Sequence, residues 1–149
     1  MQIKVVTTGN NIQSIINKLN RIDRDLVYVI PKVISVWLLE QIKNLYLKKQ
    51  YDVSKYIPLT PEWFKRRKNL DPTMFHINLH NLVNSFYTNP QAASRTGFTI
   101  KFDAKGSENR EKFEKNEKVR PIFEDNIEDI IQKIPNMLYK YFRKRHKGF

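Results

Sequence analysis

Gly97-Phe98-Thr99-Ile100-Lys101-Phe102-Asp103 sets Phe98, Ile100 and Phe102 in strict alternation with Thr99, Lys101 and Asp103. A period of two places the apolar side chains on one face of an extended chain and the polar ones on the other, the pattern of a strand with one buried face. Asn89-Pro90 reads as a turn ahead of it, which makes Phe86-Tyr87-Thr88 a candidate partner strand. Gln2 to Thr7 reads as a further strand, with Thr8-Gly9-Asn10-Asn11 leading into a helix. Two or three strands cannot close a barrel, so helices must cover one face of this sheet.

Helical spacing dominates the rest of the chain. Between residues 12 and 50, Ile12, Ile15, Ile16, Leu19, Ile22 and Leu26 recur at threes and fours, and Ile30, Val33, Ile34, Trp37, Leu38 and Leu45 continue the stripe. Pro31 cannot donate to a helical ladder and collides with the preceding turn, so its position predicts a break there and two helical pieces. A stripe of that length must be buried either on the chain's own sheet or against a neighbouring subunit. From Arg120 onward, Phe123, Ile127, Ile130, Ile131, Ile134 and Leu138 define a long amphipathic helix that Pro135 should kink. Acids near its start and Arg143, Lys144, Arg145 and Lys147 near its end complement the helix dipole. Residues 104 to 118 are nearly all polar with both signs mixed, and read as a mobile charged surface loop with at most a helical turn.

Composition narrows the class. A chain of 149 residues is long enough for one domain with a real core, so a single domain spanning 1–149 is expected. An apolar share of 40% argues against wholesale disorder, and no stretch approaches the roughly 20 apolar residues of a membrane span. The N-terminal Met1-Gln2-Ile3-Lys4-Val5-Val6 lacks the apolar block of a secretory signal, so folding in the cytoplasm where the chain is made is expected. The absence of cysteine excludes a disulfide framework, a thiol nucleophile and cysteine-ligated metal.

The net charge of +12 is uneven. Residues 1 to 103 contribute +8, residues 104 to 129 contribute −2, and residues 130 to 149 contribute +6 with no acid at all. Such a chain attracts a polyanion such as DNA through counterion release, and ordinary solvated helices carry the same lysines. Between Gln50 and Asn69, Tyr51, Tyr56, Trp63 and Phe64 are interleaved with Lys55, Lys65, Arg66, Arg67 and Lys68. These residues suit either stacking on bases or anchoring to a neighbouring protein surface, and the second is favoured because no single-strand-binding fold accompanies them.

Three short signals stand in a fixed order: Pro58-Leu59-Thr60-Pro61-Glu62, then Ile77-Asn78-Leu79-His80-Asn81-Leu82-Val83-Asn84-Ser85-Phe86, then Val119-Arg120-Pro121-Ile122-Phe123. Thr60 with Pro61 starts a helix, Asn78 caps a short one running through Ser85, and Arg120-Pro121 opens the last. This order, behind a long N-terminal helical stretch, resembles the virion-morphogenesis proteins of long-tailed bacteriophages that act in the neck or complete the tail. The resemblance covers residues 12 to 145. Leu82 and Ser85 match the Leu and Ser of the family's middle signature, and Arg120-Pro121 with Phe123 matches the last, whereas Leu79 and His80 stand where the family has Thr-Gly. A charged run replaces the aromatic and glycine segment that precedes the Arg-Pro signature in the family.

The resemblance implies an α+β fold, with a small antiparallel sheet packed with a long kinked N-terminal helical segment and a long C-terminal helix. It also implies a structural virion protein, made in the host cytoplasm, that forms a homo-oligomeric ring, a hexamer or dodecamer. That ring would join the head-closure or connector protein to the tail tube or its terminator, or would end the tube, without cofactor or turnover. Tyr56, Trp63, Phe64, Arg66, Arg67 and Arg120 are the expected contacts with neighbouring subunits. Arg143, Lys144, Arg145 and Lys147 are the candidates to face passing genomic DNA. The alternative is a small basic DNA-binding protein in which Lys65-Arg66-Arg67-Lys68 and the C-terminal cluster hold phosphates.

No catalytic or metal motif competes with these readings. His76 and His80 are four apart, but Ile77-Asn78-Leu79 between them lacks the glutamate of a zinc-protease helix, and a cap at Asn78 splits the pair. The four glycines, Gly9, Gly97, Gly106 and Gly148, are isolated and form no phosphate-cradling loop. Nuclease chemistry needs acids converging on a metal, and a pair such as Asp71 and Asp103 ranks low.

Overall fold

A computed structural model of the chain describes residues 2–6, 11–23, 28–56, 79–94 and 97–147. The protein is α+β. Its elements run β1 (Gln2–Val6), α1 (Asn11–Ile22), α2 (Ile30–Leu47), a short 3-10 turn (Val53–Lys55), α3 (Leu79–Asn84), β2 (Phe86–Ser94), β3 (Gly97–Ala104), α4 (Ser107–Val119), α5 (Ile122–Gln132) and α6 (Ile134–Arg145). The strands form one three-stranded sheet in the order β1-β3-β2, and β1 runs antiparallel to β3 with Ile3 opposite Ile100 and Val5 opposite Phe98.

The described chain divides into two compact units. The first comprises Met1–Glu40, Thr88–Phe102 and Glu128–Phe149, and the second Gln41–Tyr87 and Asp103–Ile127. In the first, the alternation along β3 is realised: Phe98, Ile100 and Phe102 are buried, joined by Ile3 of β1. Ile12, Ile15 and Leu19 of α1, Ile30, Ile34 and Leu38 of α2, and Ile134, Leu138 and Phe142 of α6 complete that core. Helices α1 and α6 pack on each other, with the Lys18 ammonium 5.2 Å from the centre of the Tyr139 ring. The Thr88 hydroxyl of β2 donates to the Ser35 carbonyl of α2 at 2.9 Å, which ties the helix to the sheet.

The core of the second unit is aromatic. Tyr46, Phe86, Phe113 and Phe123 are all buried. Their rings meet edge to face, Tyr46 to Phe86 at 5.6 Å, Phe86 to Phe113 at 5.3 Å and Phe113 to Phe123 at 6.3 Å, the geometry that the ring quadrupoles favour. Short α3 packs against α4.

Four expectations from sequence are corrected. The two helical pieces expected around Pro31 are present as α1 and α2, but the break falls before the proline: Pro31 is the second residue of α2, where its fixed φ suits the first turn and its missing N–H costs nothing. Pro135 likewise starts α6 rather than kinking a longer helix, and Lys133 forms the turn that separates α6 from α5. Asn89-Pro90 is not a turn, since β2 continues through it to Ser94. The sheet order leaves β2 at an edge, and an edge strand tolerates a residue without a donor.

The fourth correction concerns residues 104 to 118. Expected as a mobile loop, they fold from Ser107 into a 13-residue helix. Gly106 precedes it at φ 88°, a left-handed conformation that favours glycine. Lys112–Glu108 at 2.6 Å and Lys115–Glu111 at 2.8 Å pair charges one turn apart, and Phe113 anchors the inner face.

Candidate functional site

The middle and last signature segments lie in the second unit, and both turn out to be joints. Leu82 is buried, and its carbonyl accepts the Ser85 hydroxyl at 2.5 Å and the Ser85 amide at 3.0 Å, so Ser85 closes the last turn of α3. The Ser85 carbonyl in turn accepts the Lys105 amide at 2.8 Å, fixing α3 to the segment that leaves β3. A hydroxyl three residues after a buried leucine is therefore what this joint requires.

The Arg-Pro signature is the second joint. The Arg120 amide donates to the Asn116 carbonyl at 2.8 Å, ending α4, and the Asp125 amide donates to the Pro121 carbonyl at 2.9 Å, starting α5. Pro121 stands where a helix start would leave an amide without an intrahelical partner, so its lack of a donor is harmless. Glu117, from the last turn of α4, caps the new helix. Its carboxylate accepts the Phe123 amide at 3.0 and 3.3 Å and the Tyr46 hydroxyl at 2.5 Å. Burial pushes the Glu117 carboxyl up to about 7, against the opposing pull of the Tyr46 hydroxyl and the Phe123 and Glu124 amides, with nearby Asp125 adding to the rise. Burial, then Glu117, pushes the Tyr46 hydroxyl well above its ordinary range.

Two residues expected to touch neighbouring subunits belong to this interior instead. Tyr56 is 7% exposed, and its hydroxyl donates to Asp125 Oδ2 at 2.9 Å, with burial and that carboxylate raising it to about 12. Arg120 is 5% exposed, and burial lowers its guanidinium from the ordinary value. Sequence ranked Tyr56 as a contact because an aromatic in a basic stretch looks alike on a surface and under one, and Arg120, from the Arg-Pro signature, because arginine is a typical contact residue. Trp63, Phe64, Arg66 and Arg67 lie outside the described residues, as do the Thr60-Pro61 helix start, the Asn78 cap, His76 and Asp71. His80 is exposed, and Asp103 is paired with Arg110 at 3.2 Å.

The outward features of the first unit are of two kinds. Arg143, Lys144, Arg145 and Lys147 are all exposed at the end of α6. The Arg145 guanidinium lies over the Tyr141 ring at 3.8 Å and donates to the Tyr141 carbonyl at 3.2 Å, so this cation also closes the helix end. Beside them runs an apolar groove of about 390 Å³ between α2 and α6, lined by Lys32, Val33, Val36, Trp37, Glu40, Met137 and Tyr141.

Sequence reading missed the Glu117 cap and the groove. The signal for the groove was present: Ile30, Ile34 and Leu38 alone fill an inner face, so Val33, Val36 and Trp37 widen the apolar arc of α2 beyond what one face can bury. Among the described residues, no group of three or more His, Asp or Glu is placed to hold a metal ion, and no helix is long and apolar enough to cross a membrane. No protein-family model, no curated protein and no solved structure matches this chain.

Proposed function

We propose that this chain is a structural protein of a tailed bacteriophage particle, a ring component of the neck that joins the head-closure assembly to the tail tube or terminates that tube. The observation that supports this reading is the role of its signature residues. Leu82 with Ser85, and Arg120-Pro121 with Phe123, are helix joints in one compact unit, in the order the resembled family requires. The implied mechanism is surface complementarity between subunits and neighbours, with no substrate turned over. Trp63, Phe64, Arg66 and Arg67 remain the proposed neighbour contacts.

Electron microscopy of the parent particle tests the proposal: several copies of the chain around one axis at the neck or tail end are expected, and a particle with one copy or none overturns it. Replacing Trp63 and Phe64 with Ala is expected to leave circular dichroism nearly unchanged while heads and tails fail to join. A second reading, a small basic DNA-binding protein, rests on the four exposed cations that end α6. A steep, sequence-independent salt dependence of DNA affinity in the isolated chain would favour it.

A further inference from the structure

We infer that α2 pairs antiparallel with the α2 of a second copy of this chain, about a two-fold axis at Val36. Three observations converge on that occupant. Val36 is 71% exposed on a helix whose opposite face, Ile30, Ile34 and Leu38, is fully buried, and Val29 just before the helix is 36% exposed. An apolar side chain this exposed, flanked by the hollow that Val33 and Trp37 line, supplies a knob and a hole on one surface. A surface carrying both can be its own partner, because a two-fold axis presents each to the other.

Charge selects the orientation. Lys32 and Glu40 lie four residues before and four after Val36, so they sit about 6 Å to either side of it along the helix. An antiparallel neighbour centred on the same valine brings Lys32 opposite the second copy's Glu40 and Glu40 opposite its Lys32. A parallel neighbour would oppose Lys32 to Lys32 and Glu40 to Glu40. Both groups are exposed, and neither enters an ion pair among the described residues.

The same pattern argues against other occupants. Lys32 and Glu40 cancel, so the two helical turns centred on Val36 carry no net charge on a chain of net charge +12. Two strongly basic copies approach with least repulsion at such a face, whereas a polyanion or an anionic lipid surface would avoid Glu40 and prefer the cations of α6. The pairing does not depend on the particle role proposed above. A ring is built from contacts of another symmetry, and a dimer of this kind could precede it or join two rings back to back.

Sedimentation velocity of the purified full chain over a concentration series tests the pairing. A monomer–dimer equilibrium is expected. Val36→Asp should abolish the dimer with an unchanged circular dichroism spectrum, since the side chain is exposed. Lys32→Glu and Glu40→Lys should each weaken the dimer roughly tenfold by setting like charges opposite each other twice, and the combined variant should restore the affinity of the parent. A chain that stays monomeric at every concentration overturns the inference. So does a dimer indifferent to the charge swaps, or a larger ring that survives Val36→Asp. The last result would leave the assembly reading intact, whereas a swap-sensitive dimer with no copies in the particle would remove the particle reading and leave the pairing.

Discussion

The Tyr46 hydroxyl and the Glu117 carboxylate meet at 2.5 Å, across 71 residues of sequence, and the same carboxylate accepts the Phe123 amide at 3.0 Å. One half-buried side chain thus binds α2 to α4 and caps α5. Desolvation disfavours its charge more than the Tyr46 hydroxyl and the backbone amides favour it, which is why its pKa rises to about 7 from an ordinary 4.5.

The sign of the resulting pH dependence follows from proton binding. Between pH 4.5 and about 7 the folded state holds a proton on Glu117 that the unfolded state has released, so stability from this group falls as pH rises through that window. The contribution is fully present below 4.5 and lost above about 7. Its size is on the order of 2 kcal/mol. In urea titrations, Glu117→Gln, which keeps an acceptor for Tyr46 and Phe123, should be more stable than the parent above neutrality. The two should converge as pH falls. Parallel pH profiles for both proteins would show that Glu117 carries no raised pKa.

Phe113 supports the only buried position in α4, 3% exposed and in ring contact with Tyr46, Phe86 and Phe123. Phe113→Ala should therefore cost about 3–5 kcal/mol. Amide hydrogen exchange gives a sharper reading: Ser107–Val119 should lose protection first, because the remaining face of the helix is solvated. A loss below about 1 kcal/mol would mean the helix does not depend on this core.

How much of this was legible beforehand depended on whether the deciding interaction was local. The strand at Gly97 was readable because alternation encodes burial residue by residue, and α3 because its polar flanks and Leu82–Ser85 spacing are local too. Pro31, Pro90 and Pro135 were misjudged for one shared reason. A proline's cost is set by whether it falls in a first turn, an interior or an edge strand, and the sequence near it does not say which. In residues 104 to 118 the Glu108–Lys112 and Glu111–Lys115 spacings were available as helix signals, but low apolar content outweighed them. The one aromatic in that run, Phe113, is enough because three rings from elsewhere in the chain await it. Tyr56 and Arg120 failed as surface contacts because their burial is decided by Asp125 and by helices distant in sequence.

Tyr56 offers a direct check on that correction. Its hydroxyl donates to Asp125 from within the unit, so Tyr56→Phe should lower stability by about 1 kcal/mol and, on the assembly reading, leave joining of heads to tails unaffected. Spectrophotometric titration should show one tyrosine fewer ionising near pH 12 in the variant. Loss of joining with unchanged stability would instead return Tyr56 to the surface and to a neighbour.

The four cations at the end of α6 separate the two functional readings. Arg143, Lys144, Arg145 and Lys147 are exposed, follow the helix dipole, and in Arg145 supply a hydrogen bond to the last turn. Replacing all four with Gln removes both the dipole complement and any phosphate contact. On the assembly reading, the variant should unfold a few degrees earlier in a thermal melt, and joined particles should form at parental yield with normal retention of the genome. On the DNA-binding reading, affinity for duplex DNA should fall uniformly across sequences, and the slope of log affinity against log salt should flatten by roughly one unit per lost cation. Measuring particle yield, genome retention and salt slope on the same variant assigns the basic end of α6 to one role, and on the structural role of Arg145 the expected outcome is the first.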